Sequence, residues 1–89
     1  MEKNEFEARL KVDGFTQIES KSVMPRPANE EHGHDYDVRC LVLAGAFTVI
    51  QNNKSATYRP GDVFTVAAGL AHSEEVGPHG AQILVGRKY

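Results

Sequence analysis

With 89 residues, a single cysteine and a formal net charge of −2 scattered along its length, the chain makes one domain near the small end of what one core stabilises without staples. Cys40 alone excludes an internal disulfide and, with no C-x-x-C pair beside it, a thiolate-built structural zinc, which fits a reducing compartment. There is no basic stripe for a nucleic-acid backbone, no charge-free run of the roughly 18 apolar residues that a membrane span needs, and no apolar signal segment in the charged first ten residues, so a cytoplasmic protein with neither nucleic acid nor membrane as partner is expected.

In chain order, residues 4–12 read as a short helix: Asn4 as N-cap, Glu5 and Glu7 in the first turn, Phe6 and Leu10 on one face, and Gly14 to end it. From Phe15 the helical period gives way to short β-branched or aromatic runs separated by turn residues, the pattern of a sandwich or barrel. Residues 15–23 form a first strand, which Pro25 and Pro27 end by removing two backbone donors, and a polar loop follows through Glu31. The strongest strand is 37–43, closed by Gly45 before a second run, 46–51. Asn52, Asn53 and Lys54 make a hairpin turn, because asparagine tolerates left-handed backbone angles, and the chain returns over 56–58. After the turn Arg59-Pro60-Gly61-Asp62 come strands over 63–66, 71–76 and 81–87, with 67–69 and 77–80 as turns. The barrel thus spans about residues 15–88 of a single domain covering 1–89.

The chemistry concentrates in three histidines. His32 and His34 lie two apart, so on a strand both imidazoles point to one face, and His72 is a candidate third ligand. Imidazole suits zinc, iron, nickel and copper, and a catalytic site needs three protein ligands and an open position; the alternative is a metal-free polar pocket. The same parity turns Tyr36, Val38, Cys40 and Val42 inward and Arg39, Leu41 and Leu43 outward, so the two leucines need cover from the N-terminal helix or a second subunit. Glu74 shares the parity of His72, whereas Asp35 and Asp37 face away.

These residues resemble the cupin superfamily, in the small cupin 2 type of conserved barrel, over about residues 32–76. The first cupin motif is matched by His32-Gly33-His34, then Asp35, Tyr36 and Asp37, with Val38 at the position of the motif's Glu and Gly45 at its closing glycine. The second is matched by Gly61, Ala67 in place of Pro, Gly69, His72, and Val76 in place of Asn. The resemblance implies an all-β fold, a small cupin-type β-barrel (double-stranded β-helix or jelly roll) with a short N-terminal helix. It also implies that His32, His34 and His72 ligate a divalent transition metal (Fe, Mn, Zn or Ni), and that the usual fourth ligand is missing at Val38.

Without that carboxylate a divalent ion keeps a net charge of +2 among neutral imidazoles, which favours anionic ligands. Glu74 is the candidate replacement, as an extra ligand or a nearby base, against the alternative of a solvated charge at the barrel mouth. Tyr36 is the other candidate catalytic group, positioning a ligand through its hydroxyl, against simple packing. His79 reads as an exposed turn residue and Cys40 as a small apolar core residue. Two functions follow: a metal-dependent dioxygenase or isomerase acting on a small organic molecule, or a non-enzymatic ligand-sensing or structural barrel, which would work through a partner because no helix-turn-helix follows before Tyr89. A homodimer is expected, since so short a chain has sheet edges and leucines to cover.

Overall fold

A computed structural model describes residues 1–28 and 30–89. Helix α1 (Lys3–Val12) leads into five strands, β1 (Gln17–Val23), β2 (Asp37–Gln51), β3 (Lys54–Tyr58), β4 (Val63–Val66) and β5 (Ser73–Lys88). All pairings are antiparallel, in the order β1-β5-β2-β3, with β4 also on β2.

The cap of α1 corrects the reading of Asn4. Glu2 is the N-cap, its carboxylate accepting from the backbone N–H of Asn4 and of Glu5 at 3.1 Å each, and these two bonds hold its pKa below the usual carboxylate value. A charged acceptor at this end also meets the positive pole of the helix dipole, an advantage that the neutral Asn4 lacks. Phe6 and Leu10 are buried, packed with Phe15, Leu41 and Leu84, with Leu43 partly buried against them. The helix therefore covers the two leucines that parity turned outward. Burying a side chain such as Leu41 is worth about 1.5–3 kcal/mol, so this small second core matters to so short a chain.

Two breaks expected between strands are bends within them. The runs 37–43 and 46–51 are one strand, β2, which passes Gly45 with register shifts on both sides. The runs 71–76 and 81–87 likewise merge into β5, in which 77–80 continue the strand and His72 stands just before it. Gly45 and Gly80, at φ +76° and +69°, face each other across this bend. A glycine with positive φ inside a paired strand is the mark of a bulge, which turns the chain without ending the ladder. Across the bend β5 stays paired with β2 but changes its neighbour on the other side. Its first half lies between the end of β2 and the bridge of Arg26 to Val76, and its second half between β1 and the start of β2. That exchange curls the sheet around the main core of Cys40, Val42, Phe47, Phe64, Val76 and Val85.

The hairpin turn falls where expected but is two residues, not three: Asn52 and Asn53, with φ of 51° and 63°, stand between the paired Gln51 and Lys54, so the return strand begins at Lys54 and not at Ala56. The first strand begins at Gln17, two residues later than read, because Phe15 packs under α1 instead of joining the ladder.

Cys40 is 1% exposed, and burial pushes its thiol up to about 12. Since the thiolate is the nucleophile, native protein at neutral pH is expected to resist iodoacetamide, while urea-unfolded protein takes up one equivalent. Mass spectrometry of both samples checks this, and fast labelling of the folded protein would contradict the burial.

Candidate metal centre

The segment entering β2 and the residue before β5 are tied together by their own backbone. His32 and His72 form an antiparallel bridge, each N–H donating to the other's carbonyl at 2.8 Å, and the His34 carbonyl accepts from Gly69 N–H at 2.7 Å. His32 and His34 are thus held by a bridge and a turn contact, not by a regular strand, yet their rings still share one side. The ring centroids of His32, His34 and His72 lie 5.2, 4.5 and 5.4 Å apart, and one nitrogen from each falls within 4.8 Å of the others.

Ring orientation suits a ligand set. Nδ1 of His32 lies 3.0 Å from the Glu30 carbonyl, and Nδ1 of His72 lies 3.4 Å from that of Leu70. A proton placed on each Nδ1 donates to that carbonyl and leaves Nε2 with a lone pair able to ligate an ion, the usual arrangement of a metal-ligating histidine. Two nitrogens bound to one ion at about 2.0–2.1 Å each stand roughly 2.8–3.4 Å apart, from cis octahedral to tetrahedral geometry, so the three rings need close by no more than about two ångströms. The donor set fits a borderline-soft divalent ion.

The pKa of His34 is held below its ordinary value, chiefly by burial and then by repulsion from His32 and His72. The neutral ring, the ligating form, therefore persists to lower pH. In the unfolded chain His34 takes its proton near 6.5, so the unfolded state binds more protons than the folded state as pH falls below that value, and the metal-free protein loses stability there. Urea denaturation at about pH 7.5 and about pH 5.5 should show a smaller loss for His34→Gln than for wild type; equal losses would refute the assignment.

Tyr36 stacks on His34, with centroids 4.8 Å apart and an interplanar angle of 15°. Glu74 comes to the same place: its Oε1 is 3.7 Å from His32 Nε2 and 3.1 Å from Arg26 Nη2. Asp37 points away and accepts from Ala68 N–H at 2.8 Å, and Asp35 is exposed, as parity suggested; His79 is exposed as expected but lies on β5, not in a turn.

His32, His34, Tyr36 and Glu74 border a cavity of about 290 Å³. Val38, Phe47, Ile83 and Val85 supply its apolar side, and Lys21, Arg26 and Arg87 bring three cations to it. The sequence reading missed these three. Arg87 could have been found from its even spacing with Ile83 and Val85 on β5. A larger groove of about 580 Å³ beside Pro25, Pro27 and Pro78 holds none of the imidazoles and is more open; the chemistry lies in the smaller cavity.

No sequence-family model matches the chain, nor does any curated protein. Solved structures do. The chain is similar to a cupin-2 domain protein from Shewanella frigidimarina, at 15% identity and a TM-score of 0.68 over 94% of this chain and 92% of that one. It is similar to the EutQ protein of Clostridium difficile, at 13% identity and a TM-score of 0.70 over 80% of this chain and 54% of that one. It is also similar to the polyketide cyclase RemF of Streptomyces resistomycificus, at 18% identity and a TM-score of 0.66 over 81% of this chain and 54% of that one. The chain thus spans about half the length of the last two. No helix among the described residues is long and apolar enough to cross a membrane. Antiparallel strands curled about one core, with a short helix on the outside and these structural neighbours, make the fold of this chain that of a small cupin β-barrel.

Proposed function

We propose that the protein is a metal-dependent small cupin in which His32, His34 and His72 hold one divalent transition ion beside a cavity for a small organic molecule. The observation that carries this reading is the convergence of the three rings, with one nitrogen of each inside 4.8 Å. When bound, such an ion supplies a Lewis acid for oxygen donors or a redox centre. The chain's own groups set what can happen around it. Tyr36, stacked on His34, fixes that ring and lines the cavity where a ligand would lie. Glu74, shared between Arg26 and His32, is placed to take or return a proton or to complete the donor set. Val38 faces the cavity with an apolar side chain and adds no charge.

The test is elemental analysis of protein purified without a histidine tag. About one metal per chain is expected, and its identity directs the next assay: oxygen uptake for iron, isomerase screens for zinc, nickel or manganese. Protein that stays empty after soaking in each of these ions overturns the reading. The second reading, a metal-free ligand-sensing barrel, is favoured by one observation. The ion pair of Arg26 and Glu74 gives the cavity a polar wall that needs no metal.

A further inference from the structure

We propose that the cavity beside the three imidazoles takes a small organic carboxylate, its anionic head held by Arg87 with Lys21 in support and its apolar body resting on Phe47, Ile83 and Val85. This deepens the proposed function, resting on its reading of the cavity as a ligand site, and adds the chemical class of the ligand.

Three observations carry it. The first is charge. Lys21, Arg26 and Arg87 all border the cavity, and the carboxylates paired with them are Glu74 and Glu19. Glu74 is engaged by Arg26 at 3.1 Å. Glu19 is left to two cations, 3.5 Å from Lys21 Nζ and 3.8 Å from Arg87 Nη2, and its own side chain is 49% exposed. Pairs so long and so exposed contribute little. An ion held by neutral imidazoles would add further positive charge to the same space.

The second is the state of Arg87. Its side chain is only 21% exposed, and among the described residues its guanidinium makes no hydrogen bond shorter than 3.5 Å, only the loose approach to Glu19 and a cation–π contact, with Cζ 5.9 Å from the Tyr36 ring centre. Arginine carries five N–H donors in a flat fork that matches a carboxylate. Here the fork is partly withdrawn from water and placed beside a ring that stacks on His34.

The third is shape. Ile83 and Val85 lead to Arg87 along one face of β5, and β1 sets Lys21 opposite Ile83. At about 290 Å³ the cavity lies at the bottom of the range of small-molecule sites, which runs from roughly 300 to 1,000 Å³. One cationic end and one apolar wall fit a carboxylate with a short chain or a single ring better than a bare inorganic anion.

Isothermal titration of the full chain, metal-stripped and zinc-loaded, with benzoate, neutral benzamide and inorganic phosphate tests the proposal. Benzoate is expected to bind at least about tenfold more tightly than benzamide, the scale of one charge-assisted pair, and more tightly than phosphate. Arg87→Gln should erase the preference over benzamide, and Arg87→Lys should keep part of it, while zinc affinity changes little in either variant. The proposal is overturned if benzoate and benzamide bind alike, if phosphate matches benzoate, if neither aromatic binds, or if Arg87→Gln keeps the preference. Metal uptake is measured separately: benzoate discrimination that depends on Arg87, in protein that takes up none of zinc, iron, manganese and nickel, supports this proposal and sinks the metal reading.

Discussion

Substituting His34 with alanine is expected to abolish metal-linked stabilisation while leaving the barrel folded. A metal that binds only the native state stabilises it by about 2.7 kcal/mol when present at about 100 times its Kd. For a domain of this size that is a rise in Tm of roughly 11–22 °C. Losing even a group that only supports a ligand costs about 10–100-fold in affinity, so removing one of three ligands should cost more than about a hundredfold. At a hundredfold weaker binding the same zinc concentration gives only about 0.4 kcal/mol, a change of a few degrees. His34 is the position to test first because it is half-buried, whereas His72 is 3% exposed and its truncation would also open a gap in the packing. His79→Ala is the control, being exposed on β5 and outside the group of three. Thermal melts with and without zinc decide the matter. A full zinc-induced shift in His34→Ala, or its loss in His79→Ala, would show that the ion sits elsewhere.

Side-chain parity explains why so much of this site could be read before the fold was seen. Once His32 and His34 share a side, an even step carries the inward face through Val38, Cys40 and Val42, which line the cavity or the core, and an odd step carries Leu41 under α1. The same step places Glu74 with His72. The rule still holds, but says less, where the sequence does not mark which face is inward. In β1, Ile18 and Val23 have opposite parity, and they pack against opposite clusters, Ile18 toward the helix and Val23 toward the barrel core. Polar residues fill the rest of the strand, so although Lys21 shares the parity of Val23, nothing in the sequence marks that face as the one on the cavity. Arg26 is hidden for another reason: between two prolines it looks like loop, and only its bridge to Val76 brings it to Glu74. The cap at Glu2 is not legible in the sequence because short polar side chains are the usual N-caps, whereas here a longer carboxylate reaches two N–H groups of the first turn.

Gly45 and Gly80 show a different limit, and they lead to the largest stability effect expected here. In the sequence, a glycine between two apolar runs looks the same whether the chain reverses or only bends. Their spacing in the folded sheet tells the two cases apart: a Cβ on Gly45 would lie 2.1 Å from the Gly80 carbonyl oxygen and 3.0 Å from Ala81 Cα. Both contacts are backbone, in the doubly paired bend of β2 and β5, and cannot rotate away. Positive φ alone costs a residue with a Cβ about 1–2 kcal/mol. Gly69, at φ +79° with nothing within 4 Å, measures that cost by itself, and Gly77, with neither positive φ nor a near neighbour, serves as the baseline. We expect Gly77→Ala to be near neutral and Gly69→Ala to lose about 1–2 kcal/mol. Gly45→Ala should lose more than about 3 kcal/mol, a lowering of Tm by at least about 12 °C and a large share of the roughly 5–15 kcal/mol that holds a domain together. The loss should also reach the metal centre, because this bend orients the first half of β5, still paired with β2 up to Ser73 and Ile50, which leads to His72 and its bridge to His32. Urea denaturation of the three variants provides the measurement. If Gly45→Ala costs no more than Gly69→Ala, the two strands do not meet at this bend as closely as described, and the path that brings the three imidazoles together must be drawn differently.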